Sequence, residues 1–97
     1  MKIIEVFGDG NRFPNGWHRY ILTYVGTKWV RLLSPTKFHV IRIRKKVYDS
    51  MHKKEPQQDW TYYEDNLNSK LAFAVGSGKK VAAAEVNKVI DWMKDQP

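Results

Sequence analysis

The chain has no cysteine. Disulfides and thiolate metal centres are therefore excluded, and a reducing cytoplasm is the expected setting. It also lacks long apolar runs. No stretch approaches the roughly 18 apolar residues of a membrane span. Glu5 interrupts the opening Met1-Lys2-Ile3-Ile4 before it can serve as a signal peptide, so no membrane partner is expected. Acids are scarce: 10 Asp+Glu stand against 17 Lys+Arg, a net charge of +7 at pH 7.

Catalytic patterns are missing as well. His18, His39 and His52 are far apart and have no Asp or Glu at ligand spacing, so no metal site is expected. Asp59, Glu64 and Asp65 lie near aromatic residues, but helix capping and the helix dipole account for them without acid/base chemistry. Gly76-Ser77-Gly78-Lys79-Lys80 resembles part of a phosphate-binding loop. However, the first glycine is missing, Lys80 stands where a hydroxyl residue belongs, and a helix pattern precedes it. An ordinary helix–helix turn is the simpler reading, with a single phosphate the most the motif allows. No serine or threonine sits in a nucleophile-elbow pattern. The expectation is a protein that is not an enzyme and needs no cofactor.

What is present is positive charge and rings. Aromatic residues make up 13% of the chain, and four are tryptophan. The first 54 residues hold 12 of the cations and only three of the acids. An excess of this size points to an anionic partner, although a solvated basic face that serves solubility has the same composition.

The first half reads as short strands. Residues 2–7 are β-rich and apolar on both faces, and Gly8-Asp9-Gly10-Asn11 stops them. The two glycine-bearing turn signals up to Gly16 predict a long folded-back loop, on which Phe13 and Trp17 are either pinned to the core or displayed. Residues 18–25 alternate, with Tyr20, Leu22 and Tyr24 on one face. Gly26-Thr27 suits a type II′ hairpin turn. Residues 28–33 return, Ser34-Pro35-Thr36-Lys37 turns again, and residues 38–44 form the next strand.

Four strands in about 45 residues must curl to hide their edges. The expected fold class is therefore α+β. Residues 1–54 make a small antiparallel SH3-like β-barrel with a long first loop and a closing helical turn. Residues 55–97 make a helical hairpin packed on the barrel as one compact unit.

The two halves meet at Val40-Ile41-Arg42-Ile43-Arg44-Lys45-Lys46-Val47-Tyr48. A strand to Arg44 puts Arg42 and Arg44 on one face, about 7 Å apart, a spacing suited to the phosphates of a nucleic-acid strand. A short helix over residues 45–52 follows. The competing reading is a helix from Ser34, with Val40, Ile43, Val47 and Met51 on one face; the β-branched run Val40-Ile41-Arg42-Ile43 favours the strand. Lys53 and Lys54 either widen the basic patch or answer the dipole at the helix end.

After the polar, proline-bearing linker 54–58, Asp59 is placed to cap a helix over 60–75. Its apolar stripe is Trp60, Tyr63, Leu67, Leu71 and Ala74. The last helix spans 80–94, with Ala82, Val86, Val89, Ile90 and Met93 as its stripe. The hairpin can pack on the barrel or on a second copy, so a homodimer through these helices, with Trp60 and Trp92 as anchors, is compatible with the pattern.

Cations interleaved with rings are the one constellation above background: Arg12-Phe13, Trp17-His18-Arg19-Tyr20, Lys28-Trp29-Val30-Arg31 and Lys37-Phe38. The expected function is nucleic-acid binding, DNA or RNA. Arg12, Arg19, Lys28, Arg31, Arg42, Arg44, Lys45 and Lys46 would face the backbone, and Trp17 and Trp29 would be available for stacking. The alternative is a protein-interaction module, such as a small accessory or inhibitor protein docking on an acidic surface of a larger nucleic-acid-processing protein.

Overall fold

The computed structural model describes residues 1–11, 13–35, 39–58, 60, 67–68 and 80–95. In chain order these form β1 (Lys2–Gly8), β2 (Gly16–Val25), β3 (Trp29–Leu33), β4 (Val40–Arg44), α1 (Lys45–Ser50), β5 (Lys53–Lys54) and α2 (Lys80–Lys94). The fold is α+β. One antiparallel sheet carries the order β4-β3-β2-β1-β5.

The sheet is open, with β4 and β5 at its edges, where the sequence predicts four strands curled into a closed barrel. The fifth strand is the element the sequence hides. Lys53 and Lys54 read as a basic helix end, but α1 stops at Ser50 and Met51 is extended at φ −75° and ψ 149°. The chain then pairs Lys53 with Val6 and Lys54 with Glu5. Beyond this short strand Gln58 extends the edge. Its Oε1 accepts from the Ile3 N–H at 2.6 Å, and its Nε2 donates to the Ile3 carbonyl at 2.9 Å. Both outward-facing backbone groups of Ile3 are thereby satisfied, which blunts an otherwise open strand edge.

Both faces of the sheet are apolar because β1 is apolar at consecutive positions. Partners across an antiparallel ladder share a face, so the register defines rows. On the inner face Ile4, Val6, Tyr20, Leu22, Val30, Leu32 and Ile43 pack with Phe13 from the β1–β2 loop and Tyr48 from α1. On the outer face Ile3, Ile21, Leu33 and Val40 form one apolar row across four strands. Ala83, Val86, Val89 and Ile90 of α2, together with Leu67, bury this row. The α2 stripe predicted from spacing is thus used within the chain, with Met93 packed beside it; the Ala82 side chain lies outside the described residues.

Trp60, Leu67 and Asn68 have helical backbone. The Trp60 and Trp92 rings meet edge-to-face at 4.8 Å. The Asp59 cap, the rest of the stripe over 61–75 and the Gly76–Gly78 turn lie outside the described residues, as do Arg12, Thr36, Lys37 and Phe38.

Three local readings change. A bulge between Leu22 and Tyr24 makes Thr23 the extra residue. Thr23 is buried, and Tyr24 leaves the face it was expected to share with Tyr20 and Leu22 and stands opposite Arg31 on the outer one. Gly26 does not have the positive φ a type II′ turn requires; among the described glycines only Gly10 and Gly16 do. Its value is space, since a Cβ there would lie 2.6–2.9 Å from the Tyr24 ring and hydroxyl. Finally, Phe13 is pinned beneath its loop, edge-on to Tyr20 at 5.6 Å, whereas Trp17 is displayed.

α1 is too short to hold itself, and Lys53 closes it. The Lys53 ammonium donates to the Tyr48 carbonyl at 2.7 Å, Met51 at 3.0 Å and Asp49 at 3.3 Å. It also lies 4.7 Å from the Tyr48 ring centre. A cation among the last carbonyls of a helix satisfies unpaired acceptors and opposes the dipole.

Candidate nucleic-acid interface

The α2 helix lies across the middle of the outer face and leaves a flank on each side. The two flanks carry similar residues but differ in how far their cations are paired. One holds the rows Lys54–Glu5–Arg19 and Phe7–Trp17. Glu5 lies at its centre, accepting from Arg19 Nε at 2.8 Å, with Lys54 Nζ at 3.5 Å. The hydrogen bond from Arg19, aided by Lys54 and opposed by partial burial, holds the Glu5 carboxyl below its ordinary range. Two of this flank's cations are thus committed to one acid. Phe7 and Trp17 meet edge-to-face at 5.4 Å, and Lys54 lies 4.3 Å from the Trp17 ring centre.

The other flank holds Tyr24–Arg31–Arg42 and Trp29–Arg44, on β2, β3 and β4. Alternation along β4 places Arg42 and Arg44 side by side, as the strand reading requires. Their guanidinium carbons lie over the indole of Trp29, at 4.4 and 4.6 Å from its centre. Arg31 is over Tyr24 at 5.2 Å, and Lys88 of α2 approaches the same ring at 5.8 Å. The Lys45 N–H donates to the Lys28 carbonyl at 2.8 Å, which brings the start of α1 against the β2–β3 turn.

The structure divides the ten residues predicted for the site. Arg19 is paired with Glu5, Arg31 with Glu85 at 3.4 Å, and Lys45 with Asp49 at 2.5 Å one helical turn away. Among the described residues Lys28, Arg42, Arg44 and Lys46 have no carboxylate partner, and Arg42 and Arg44 gather with Trp29 on one flank. Trp17 is about 44% exposed, but it belongs to the opposite flank. Tyr24 and Lys88 join the site without having been foreseen. Only the bulge brings Tyr24 outward, and only α2 packing delivers Lys88, which also donates to the Thr23 carbonyl at 3.1 Å.

No family model, curated protein or solved structure matches this chain. Each arginine–indole contact is worth about 0.5–1 kcal/mol at an exposed site. Clearing both from Trp29 gives up about 1–2 kcal/mol, close to the about 1–3 kcal/mol that a stacked base returns. A base that stacks on Trp29 therefore gains little net once both guanidinium groups have been displaced. No group of three or more potential metal ligands occurs among the described residues, and no described helix is long and apolar enough to cross a membrane.

Proposed function

We propose that this protein is a non-enzymatic nucleic-acid-binding module and that the β3–β4 flank is its contact surface. The observation that carries this reading is the pairing of Arg42 and Arg44 over Trp29 without an acidic partner among the described residues, with exposed Lys28 and Lys46 next to this segment in the chain, while Arg19, Arg31, Lys45 and Lys54 are neutralised. Planar guanidinium groups held on a ring are suited to bidentate phosphate contacts, with part of their side-chain entropy already lost before binding. The strand order also supports an SH3-like connectivity for this open sheet: a four-strand meander, a helical turn, and a fifth strand returning to the first. Helical Trp60 and buried Leu67 support a helix preceding α2.

The test is binding as a function of salt. Four phosphate contacts predict a slope of log K against log salt of about −3.6 on duplex, and so a loss of about 150-fold between 50 and 200 mM. The R42A/R44A/K46A variant should keep its fold and lose most of the affinity and slope. Unchanged retention in that variant refutes the site, and no binding at about 50 mM salt refutes the function.

A protein-interaction role is favoured by one separate observation. The Phe7–Trp17 pair is 39% and 44% exposed, and Phe7 borders a cleft of about 480 Å³ between the β1–β2 loop and α1, lined also by Phe13, Val47, Met51 and His52. Exposed rings beside a cleft are what an interface anchor needs. A protein partner whose capture survives nuclease treatment and is lost in W17A supports this second role.

A further inference from the structure

We infer that the flank takes a nucleic-acid duplex through its phosphates alone, and that Trp29 positions the arginines without stacking on a base. This rests on the nucleic-acid reading above and narrows its substrate class. Single-strand recognition relies on ring faces open to bases. Here every described aromatic ring of the flank already has a cation over it: Trp29 has Arg42 and Arg44, and Tyr24 has Arg31 and Lys88. A base reaching Trp29 must displace the groups that bind the phosphates, so stacking and charge contacts compete for one surface.

A duplex imposes no such conflict. It presents about one charge per 1.7 Å of axis, twice the density of one of its strands, and its bases stay stacked inside. The cations are also spread in two dimensions. Arg44 follows Arg42 two residues along β4, while Lys88 of α2 reaches the Tyr24 ring beside them. Such an array fits a broad charged surface better than one threaded strand. Among the described residues Arg42 and Arg44 stand on the face of a sheet rather than on an element that enters a groove, so the binding is expected to be indifferent to sequence.

The experiment titrates the full chain against a 20-base-pair duplex of mixed sequence and against each of its separated strands, at about 100 mM salt. The expected result is a preference for duplex of about tenfold or more. W29L should weaken duplex binding and W29F should largely restore it, because a phenyl ring can still bed a guanidinium. Equal or tighter binding of the single strands, with W29L weakening them selectively, overturns the inference while leaving nucleic-acid binding intact. Failure of the chain to bind any of the three overturns both. A duplex affinity that W29L leaves unchanged overturns the positioning role of Trp29.

Discussion

Replacing Lys53 by methionine isolates what one cation does for this fold. The substitution keeps the length and apolar stem of the side chain and removes the ammonium. That ammonium makes hydrogen bonds to three carbonyls at 2.7, 3.0 and 3.3 Å and lies over the Tyr48 ring. The two shorter bonds are partly buried, and the Asp49 carbonyl is exposed and can be rehydrated. Counting about 1 kcal/mol for each partly buried bond and about 0.5–1 kcal/mol for the ring contact, K53M should lose about 2–3 kcal/mol. For a chain of this size that corresponds to a fall in Tm of about 8–24 °C, out of a total stability on the order of 5–15 kcal/mol. Urea unfolding followed by tryptophan fluorescence and far-ultraviolet circular dichroism measures it. K54M is the control: Lys54 is exposed and makes only a 3.5 Å ion pair and a ring contact, so it should lose less than about 1 kcal/mol. A K53M loss below about 0.5 kcal/mol, or equal losses in the two variants, would refute the capping role.

Two further predictions concern space and charge. A Cβ on Gly8 would collide with the Pro14 carbonyl and lie 2.8 Å from the Phe13 Cβ, so G8A forces backbone to move and should cost about 2–3 kcal/mol. In G26A the obstacle is the movable end of the Tyr24 ring, and the loss should stay below about 1 kcal/mol; chemical denaturation compares the two, and a reversed order contradicts the loop packing. The lowered pKa of Glu5 means that its ionised form favours the folded state. That stability is present above the unfolded carboxyl value and is lost as pH falls through the depressed folded one. E5Q should therefore be less stable than the natural chain at pH 7, by about 1 kcal/mol or less, with the gap narrowing as pH falls below the ordinary carboxyl range. A gap independent of pH between 7 and 3 removes the ion-pair explanation.

The site was half legible in the sequence. Arg42 and Arg44 follow from alternation alone, since a strand with apolar Ile41 and Ile43 on its inner side must turn both arginines outward. Lys28 and Trp29 were visible as a cation beside a ring. What could not be read was which cations are already committed. Arg19 meets Glu5 14 residues away and Arg31 meets Glu85 54 residues away, so their neutralisation appears only when the strands pair and α2 docks. Strict alternation puts Tyr24 on the face of Tyr20 and Leu22, and one bulged residue moves it to the other.

By itself the amino-acid sequence determined β1 to β4, the long first loop, the change to helix after Arg44 and the bounds of α2. Each depends on neighbours one to four residues apart, through pleat, helical period and turn chemistry. Tertiary structure alone decided the fifth strand, the open sheet, the bulge and the division of the outer face by α2. Lys53 shows the difference most plainly. Its charge is evident in the sequence, but its role depends on a two-residue strand held in place by Val6, and no local pattern records a partner 47 positions back along the chain.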